Sequence, residues 1–373
     1  MKKMVMGGLI LLISILFLNG QSGYAFELNG FADVSFTKST KGADEFRKGD
    51  FAFGTLDLYL AQTLDDIDIL LELGVEEGDE IDVERLTIGY TFSDALKLRV
   101  GRFHTPLGFW NNAYHHGVQL QPTIERPDFL KFEDDGGILP VHVIGGYLSG
   151  RVSNAIGAVE YGAMLGNGPR ITGKDGGNVL HPNNISDNNN GKAIALNIAV
   201  SPTAIQGLKI GLSGHIAELK DDGAVDIDVD NADGDNDLTT GVEVGSGDVE
   251  VDQIISGAAV TYAIANVDIA AEYFSIKNKD VASDKDYTSG AYYGLITYSY
   301  KGKWVPYLMY ENMSIKEADP YFMSLGTVDT TELTTGLRYN INYRSCLKGE
   351  YRRIIDEGDV DWNEYAIQWA LAF

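Results

Sequence analysis

The sequence has 373 residues and carries 54 Asp and Glu against 29 Lys and Arg, a formal net charge of −25. That sign argues against nucleic-acid binding, and a single cysteine, Cys346, excludes both an intramolecular disulfide and a cysteine-based zinc cluster. Abundant Tyr (20) and Gly (43) with only 9 Pro suit many strands and tight turns. Beyond the N-terminus no uncharged apolar run reaches the roughly 18 residues that a membrane-spanning helix needs.

The chain opens with Lys2 and Lys3, an apolar core over residues 7–18, and the small-residue stretch Gly23-Tyr24-Ala25. This order predicts a signal peptide over 1–25 and a mature chain over 26–373. From there on, apolar and polar residues alternate. Leu56, Leu58 and Leu60 oppose Thr55, Asp57 and Tyr59; Leu96, Leu98 and Val100 oppose Lys97, Arg99 and Gly101; Tyr343, Leu347 and Tyr351 oppose Arg344, Lys348 and Arg352. At the C-terminus Tyr365, Ile367, Trp369, Leu371 and Phe373 oppose Glu364, Ala366, Gln368, Ala370 and Ala372. Alternate residues of a strand point to opposite faces, so each such segment has one greasy face and one polar face.

The alternation predicts an all-β, transmembrane antiparallel barrel of about sixteen strands, over 27–37, 51–63, 67–76, 81–92, 96–102, 141–148, 153–165, 192–200, 208–219, 253–264, 267–277, 290–300, 304–313, 331–340, 343–355 and 362–373. Lipid would take the apolar faces and the lumen the polar ones. Short turns are expected at Leu64–Asp66, Ser93–Ala95, Ser149–Arg151, Ser201–Gly207, Ala265–Asn266, Lys301–Lys303 and Ile341–Asn342, alternating with longer outer connections that include 103–140, 220–252 and 278–289. Strands leaving a periplasmic N-terminus would produce this long–short rhythm.

The sixteen-strand pattern, the terminal Trp369-Ala370-Leu371-Ala372-Phe373 and the stretch Gly101-Arg102-Phe103-His104-Thr105-Pro106-Leu107-Gly108 together resemble Gram-negative porins of the sixteen-strand type. The resemblance implies an outer-membrane location, contact with lipid and lipopolysaccharide, a homotrimer, and a third outer loop that folds into the lumen and narrows it. That loop corresponds to 103–140, the longest connection, where His104, His115, His116, Arg126, Lys131, Glu133, Asp134 and Asp135 are expected to form the constriction among Trp110, Tyr114, Phe129 and Phe132. Arg85, Lys97, Arg99, Arg338, Arg344, Lys348, Arg352, Asp57 and Glu72 are expected to line the pore. Asp33, Asp68, Asp268, Glu272, Glu311, Glu332 and Glu364 share their lumenal parity. Opposed basic and acidic walls order polar solutes and set a weak ion preference.

Other chemistry is thinly represented. Residues 221–252 hold twelve acidic side chains and no Lys or Arg. Within them Asp226, Asp228, Asp230, Asp233, Asp235 and Asp237 have the composition of a calcium loop, but Asn231 and Asp237 stand where such a loop needs Gly and Glu. Loose binding of Ca²⁺ on a surface loop is the expectation, with no other cofactor. His115-His116 lack a third ligand at metal spacing, and no Gly-x-Ser-x-Gly, His-Glu-x-x-His or Gly-Lys-Thr element is present. The reading is therefore a non-enzymatic porin for ions and small hydrophilic solutes. The alternatives are a barrel enclosing a partner, such as a multihaem cytochrome in an electron conduit, and an outer-membrane hydrolase.

Overall fold

The computed structural model of the chain describes residues 27–41, 49–75, 81–114, 117–131, 137–174, 177–181, 191–220, 225–226, 243–244, 250–325, 327–356 and 361–373. Sixteen antiparallel strands pair in sequence order and close on themselves. They are β1 (Glu27–Ser39), β2 (Asp50–Leu64), β3 (Ile67–Val75), β4 (Ile81–Ser93), β5 (Leu96–His104), β6 (His142–Ser153), β7 (Gly157–Gly166), β8 (Ala193–Pro202), β9 (Leu208–Lys220), β10 (Glu250–Ile264), β11 (Val267–Asp280), β12 (Lys285–Tyr298), β13 (Trp304–Ser314), β14 (Thr330–Asn342), β15 (Ser345–Asp356) and β16 (Asp361–Ala372). Lipid offers backbone groups no hydrogen bonds, so a strand sheet survives there only without free edges. The seam is β1 against β16, from Phe31 opposite Ala372 to Ser39 opposite Glu364. Gly30 and Phe373 complete it by exchanging backbone hydrogen bonds, each 3.0 Å long.

The outward faces are apolar as the alternation predicts, with Leu86, Ile88, Leu212, Ile367 and Trp369 exposed. No described helix is long and apolar enough to cross a membrane; the crossing is made by strands. The main buried apolar cluster lies on the inside of the barrel. Phe103, Leu107, Trp110, Phe129, Leu130 and Ile138, from the end of β5 and the connection 105–141, pack with wall residues such as Phe274, Tyr293 and Met309.

Three connections differ from expectation. The turn expected at Ser149–Arg151 lies instead at 154–156, and β6 runs through to Ser153. The Asn154 side chain accepts from the amides of Ile156 and Gly157, at 2.8 and 3.3 Å, and so closes the turn five residues later than expected. The polar stretch 278–289 is mostly strand: β11 and β12 extend above the apolar belt, and the pairs Lys277–Asp286 (2.8 Å) and Lys279–Asp284 (2.6 Å) flank a connection of 281–284. The turn between β14 and β15 falls at 343–344, because an irregularity between Asn340 and Asn342 takes up an extra residue.

Gly101, in β5, has φ +125°, and a Cβ there would stand 2.0 Å from the Leu86 carbonyl oxygen. Gly101→Ala is therefore expected to lower the barrel's transition, with backbone strain of about 1–3 kcal/mol before any clash is counted. The shift in gel mobility on boiling reports the folded fraction. A transition equal to wild type would mean that β5 relaxes freely away from β4.

Candidate functional site: the inward segment and the lumen wall

Between β5 and β6 the chain leaves the sheet at Thr105 and rejoins it at Val141, where the Thr105 amide donates to the Val141 carbonyl at 2.8 Å. Apart from a four-residue helix at Trp110–Ala113 and a 3-10 turn at Asp128–Leu130, the described part of this segment is irregular. Irregular backbone leaves amides and carbonyls without the ladder partners that strands and helices supply, and each buried one must be paired elsewhere. Here wall side chains pair many of them. Glu272 on β11 accepts from the amides of Phe109 (2.5 Å) and Trp110 (2.7 Å), and from the Tyr293 hydroxyl at 3.0 Å. Glu350 on β15 accepts from the Ile124 amide and the Tyr307 hydroxyl, both at 2.8 Å. Glu311 on β13 accepts from the Asp128 amide at 2.8 Å.

Cations of the wall hold the carbonyls. Lys348 Nζ donates to Val118 O (2.5 Å) and Thr123 O (2.8 Å). Arg338 Nη1 donates to Leu120 O (3.3 Å) and Gln121 O (3.0 Å). Gln119 reaches the turn between β14 and β15, donating to Tyr343 O at 3.2 Å. The segment thus descends from the outer end of the barrel to the short-turn end along β9–β15. Two T-shaped ring pairs add apolar contact: Trp110 on Tyr293, with centroids 5.4 Å apart, and Phe129 on Phe274, at 5.9 Å. Gly108, at φ +66°, allows the close approach at the top, since a Cβ there would stand 2.1 Å from Glu272 Oε2.

The predicted residues divide into groups. Arg338 and Lys348, expected to face an open pore, bind the segment's backbone instead. Arg352 is buried; it pairs with Glu364 and lies 3.8 Å from Glu125 of the segment and 3.7 Å from Glu350. Arg126 donates to Asn111 Oδ1 at 3.1 Å inside the segment, and Lys131 pairs with Asp128 at 2.8 Å. Burial disfavours the Lys131 ammonium, but Asp128 and Glu125 outweigh it and hold its pKa above the usual lysine range. His104 packs on His142, with ring centroids 5.5 Å apart. Arg344 lies in the turn after β14, its guanidinium over the Tyr343 ring, and not on the pore wall where strand parity would put it. His115, His116, Glu133, Asp134 and Asp135 lie outside the described residues, as do Asp228, Asp230, Asp233, Asp235 and Asp237 and the stretch 1–25 expected to be a signal peptide. Asp226 is described only through its ladder pairing with Glu243.

The opposite arc, β3 to β9, is different. Arg85 on β4 pairs with the buried Glu72. Arg151 and Lys209 share Glu160, at 3.5 and 2.5 Å. Lys97 and Arg99 are exposed and make no ion pair with a described carboxylate. An open recess of ≈ 1010 Å³ at the short-turn end is lined by Lys97, Tyr147, Arg151, Glu160 and Asn197 among others. Asp57 is fully buried in β2. Strand parity also missed Glu84, which the irregularity between β3 and β4 turns to the buried side, where it pairs with His142 at 3.2 Å. Glu350 was legible, since it shares the parity of Lys348 and Arg352.

A closed sixteen-strand barrel with an inward third outer connection places the protein among outer-membrane porin channels. The family model for phosphate-selective porin O and P matches residues 53–323, and the chain belongs to that family. Among solved structures the fold is similar to the anion-selective porin from Comamonas acidovorans (TM-score 0.62, 13% identity, covering 94% of this chain and 100% of that one). It is also similar to the trimer form of OmpT from Vibrio cholerae (0.61, 12%, 94% and 100%) and to Salmonella typhi OmpF in complex with daunomycin (0.58, 15%, 94% and 98%). No curated protein matches significantly.

Glu272→Ala leaves the Phe109 and Trp110 amides without their acceptor, at about 1–3 kcal/mol for each buried donor left unpaired. The expected result is a barrel that keeps its boiling-dependent mobility while residues 105–141 become open to protease. Wild-type protease resistance would show that apolar packing alone holds the segment.

Proposed function

We propose that the protein passes small hydrophilic solutes by diffusion along the β3–β9 side of the lumen, with the segment 105–141 as the restricting element and a weak preference for anions. The observation that carries this reading is the asymmetry of the interior. Inward charges on β11–β15, such as Glu272, Glu311, Lys348 and Glu350, are buried under the segment, whereas Lys97 and Arg99 across the lumen stay exposed. Exposed cations beside a solute path raise the local concentration of anions. The description of the family names phosphate. Tight phosphate capture calls for several free cations converging on one point; here Arg85, Arg151 and Lys209 already face carboxylates, which favours selection by charge over a high-affinity site. Export through residues 1–25 and assembly as a homotrimer complete the reading.

Single-channel conductance with reversal potential under a salt gradient tests it. Removal of residues 110–135 is expected to raise conductance severalfold, and an unchanged conductance in a folded variant overturns the restricting role. The Lys97→Ala/Arg99→Ala double variant is expected to move the reversal potential toward cation preference. An unmoved potential places the solute path elsewhere.

A further inference from the structure

Glu311 and Glu332 stand directly opposite one another on β13 and β14. Like charges in that position repel, and both residues are buried, at 3% and 2% exposure. The 3-10 turn of the inward segment brings Asp128 to the same point, and one carboxylate oxygen from each of the three lies within 4.8 Å of those of the other two. Each wall carboxylate has one oxygen occupied: Glu311 Oε2 accepts from the Asp128 amide at 2.8 Å, and Glu332 Oε1 from the Thr334 hydroxyl at 2.6 Å. The remaining oxygens, Glu311 Oε1 and Glu332 Oε2, are buried with no hydrogen-bond partner.

We propose that Asp128, Glu311 and Glu332 bind a divalent, oxygen-seeking cation of the calcium class, which clips the inward segment to the barrel wall. Charge supports this. Lys131 pairs with Asp128, so three carboxylates against one ammonium leave two formal negative charges. Arg352, the other nearby cation, faces Glu332 but is shared with Glu125, Glu350 and Glu364. Isolated buried carboxylates are costly, and a cation coordinated by them removes the cost. Size agrees as well: at bond lengths of 2.3–2.6 Å, oxygens on opposite sides of Ca²⁺ stand about 5 Å apart. The donor set is all oxygen, with neither His nor Cys, which disfavours zinc and copper. An adjoining cavity of ≈ 230 Å³, lined by Asp128, Lys131, Thr330, Arg352, Trp362 and Glu364 among others, has room for the waters that complete a calcium shell. None of the three carboxylates belongs to the acidic stretch 226–237.

Terbium, a luminescent stand-in for calcium, tests the site because Trp362 lines the adjoining cavity and can sensitise it. The folded, chelator-stripped full chain is titrated with Tb³⁺ and then competed with Ca²⁺, and its thermal transition is followed with and without Ca²⁺. The expected result is a saturable signal that Ca²⁺ displaces and a transition that Ca²⁺ raises. Both are expected to be weakened at least tenfold or lost in Glu311→Gln/Glu332→Gln and in Asp128→Asn, each verified as folded by its mobility shift on boiling. Asp128→Asn leaves the wall untouched, so it keeps the test valid if the double variant fails to fold. Equal titrations of wild type and variants would assign binding to the acidic stretch and overturn the proposal. So would a transition that does not respond to Ca²⁺.

Discussion

Backbone groups inside a barrel are as demanding as those facing lipid, and the architecture of this protein follows from how they are paired. The wall solves the problem with its own ladder, closed at β1 and β16. The segment between β5 and β6 has no ladder, so it borrows partners. Carboxylates of Glu272, Glu311 and Glu350 take its amides, and Lys348 and Arg338 take its carbonyls. Charge-assisted bonds of this kind are shorter and stronger than neutral ones. A few wall side chains therefore hold a long irregular segment in one place.

This use of charge divides the interior. On β11–β15 Glu272, Glu311, Lys348 and Glu350 serve the segment and are removed from water; on β3–β9 Lys97, Arg99 and Arg151 remain in contact with it. A count of lumenal charges from strand parity treats both sets alike and gives an acidic wall opposed to a basic one. Once Glu272, Glu311 and Glu350 are committed to amides, the groups left to meet a solute are fewer, and Lys97 and Arg99 stand out among them. The apolar cluster of Trp110, Phe129, Phe274 and Tyr293 completes the filled half, so that part of the barrel behaves like the core of a soluble domain.

How much was legible depended on whether the cause was periodic. Period-two alternation located all sixteen strands, because lipid on one side and lumen on the other impose it without regard to neighbours. Boundaries drifted where local side-chain chemistry decided them, as with Asn154 closing a turn expected at Ser149–Arg151. Glu84 was invisible because an irregularity in the ladder breaks the parity on which the reading relied. The 103–140 connection was recognisable by its length and its aromatic content, and Arg352 as a lumenal cation by parity. That Arg338 and Lys348 would grip backbone carbonyls was not visible, since nothing local to β14 or β15 records which loop arrives beside them.

The sequence by itself determined that this chain is a closed transmembrane barrel with a lipid-facing and a lumenal side, since alternation is a property of each strand alone. Only the tertiary structure decided which lumenal charges remain free and which are used to hold the inward segment. It also brought Asp128 to Glu311 and Glu332 across a separation of about two hundred residues. Those pairings depend on the path of an irregular segment through the lumen, and that path is set by the shape and the hydrogen-bonding capacity of the whole wall.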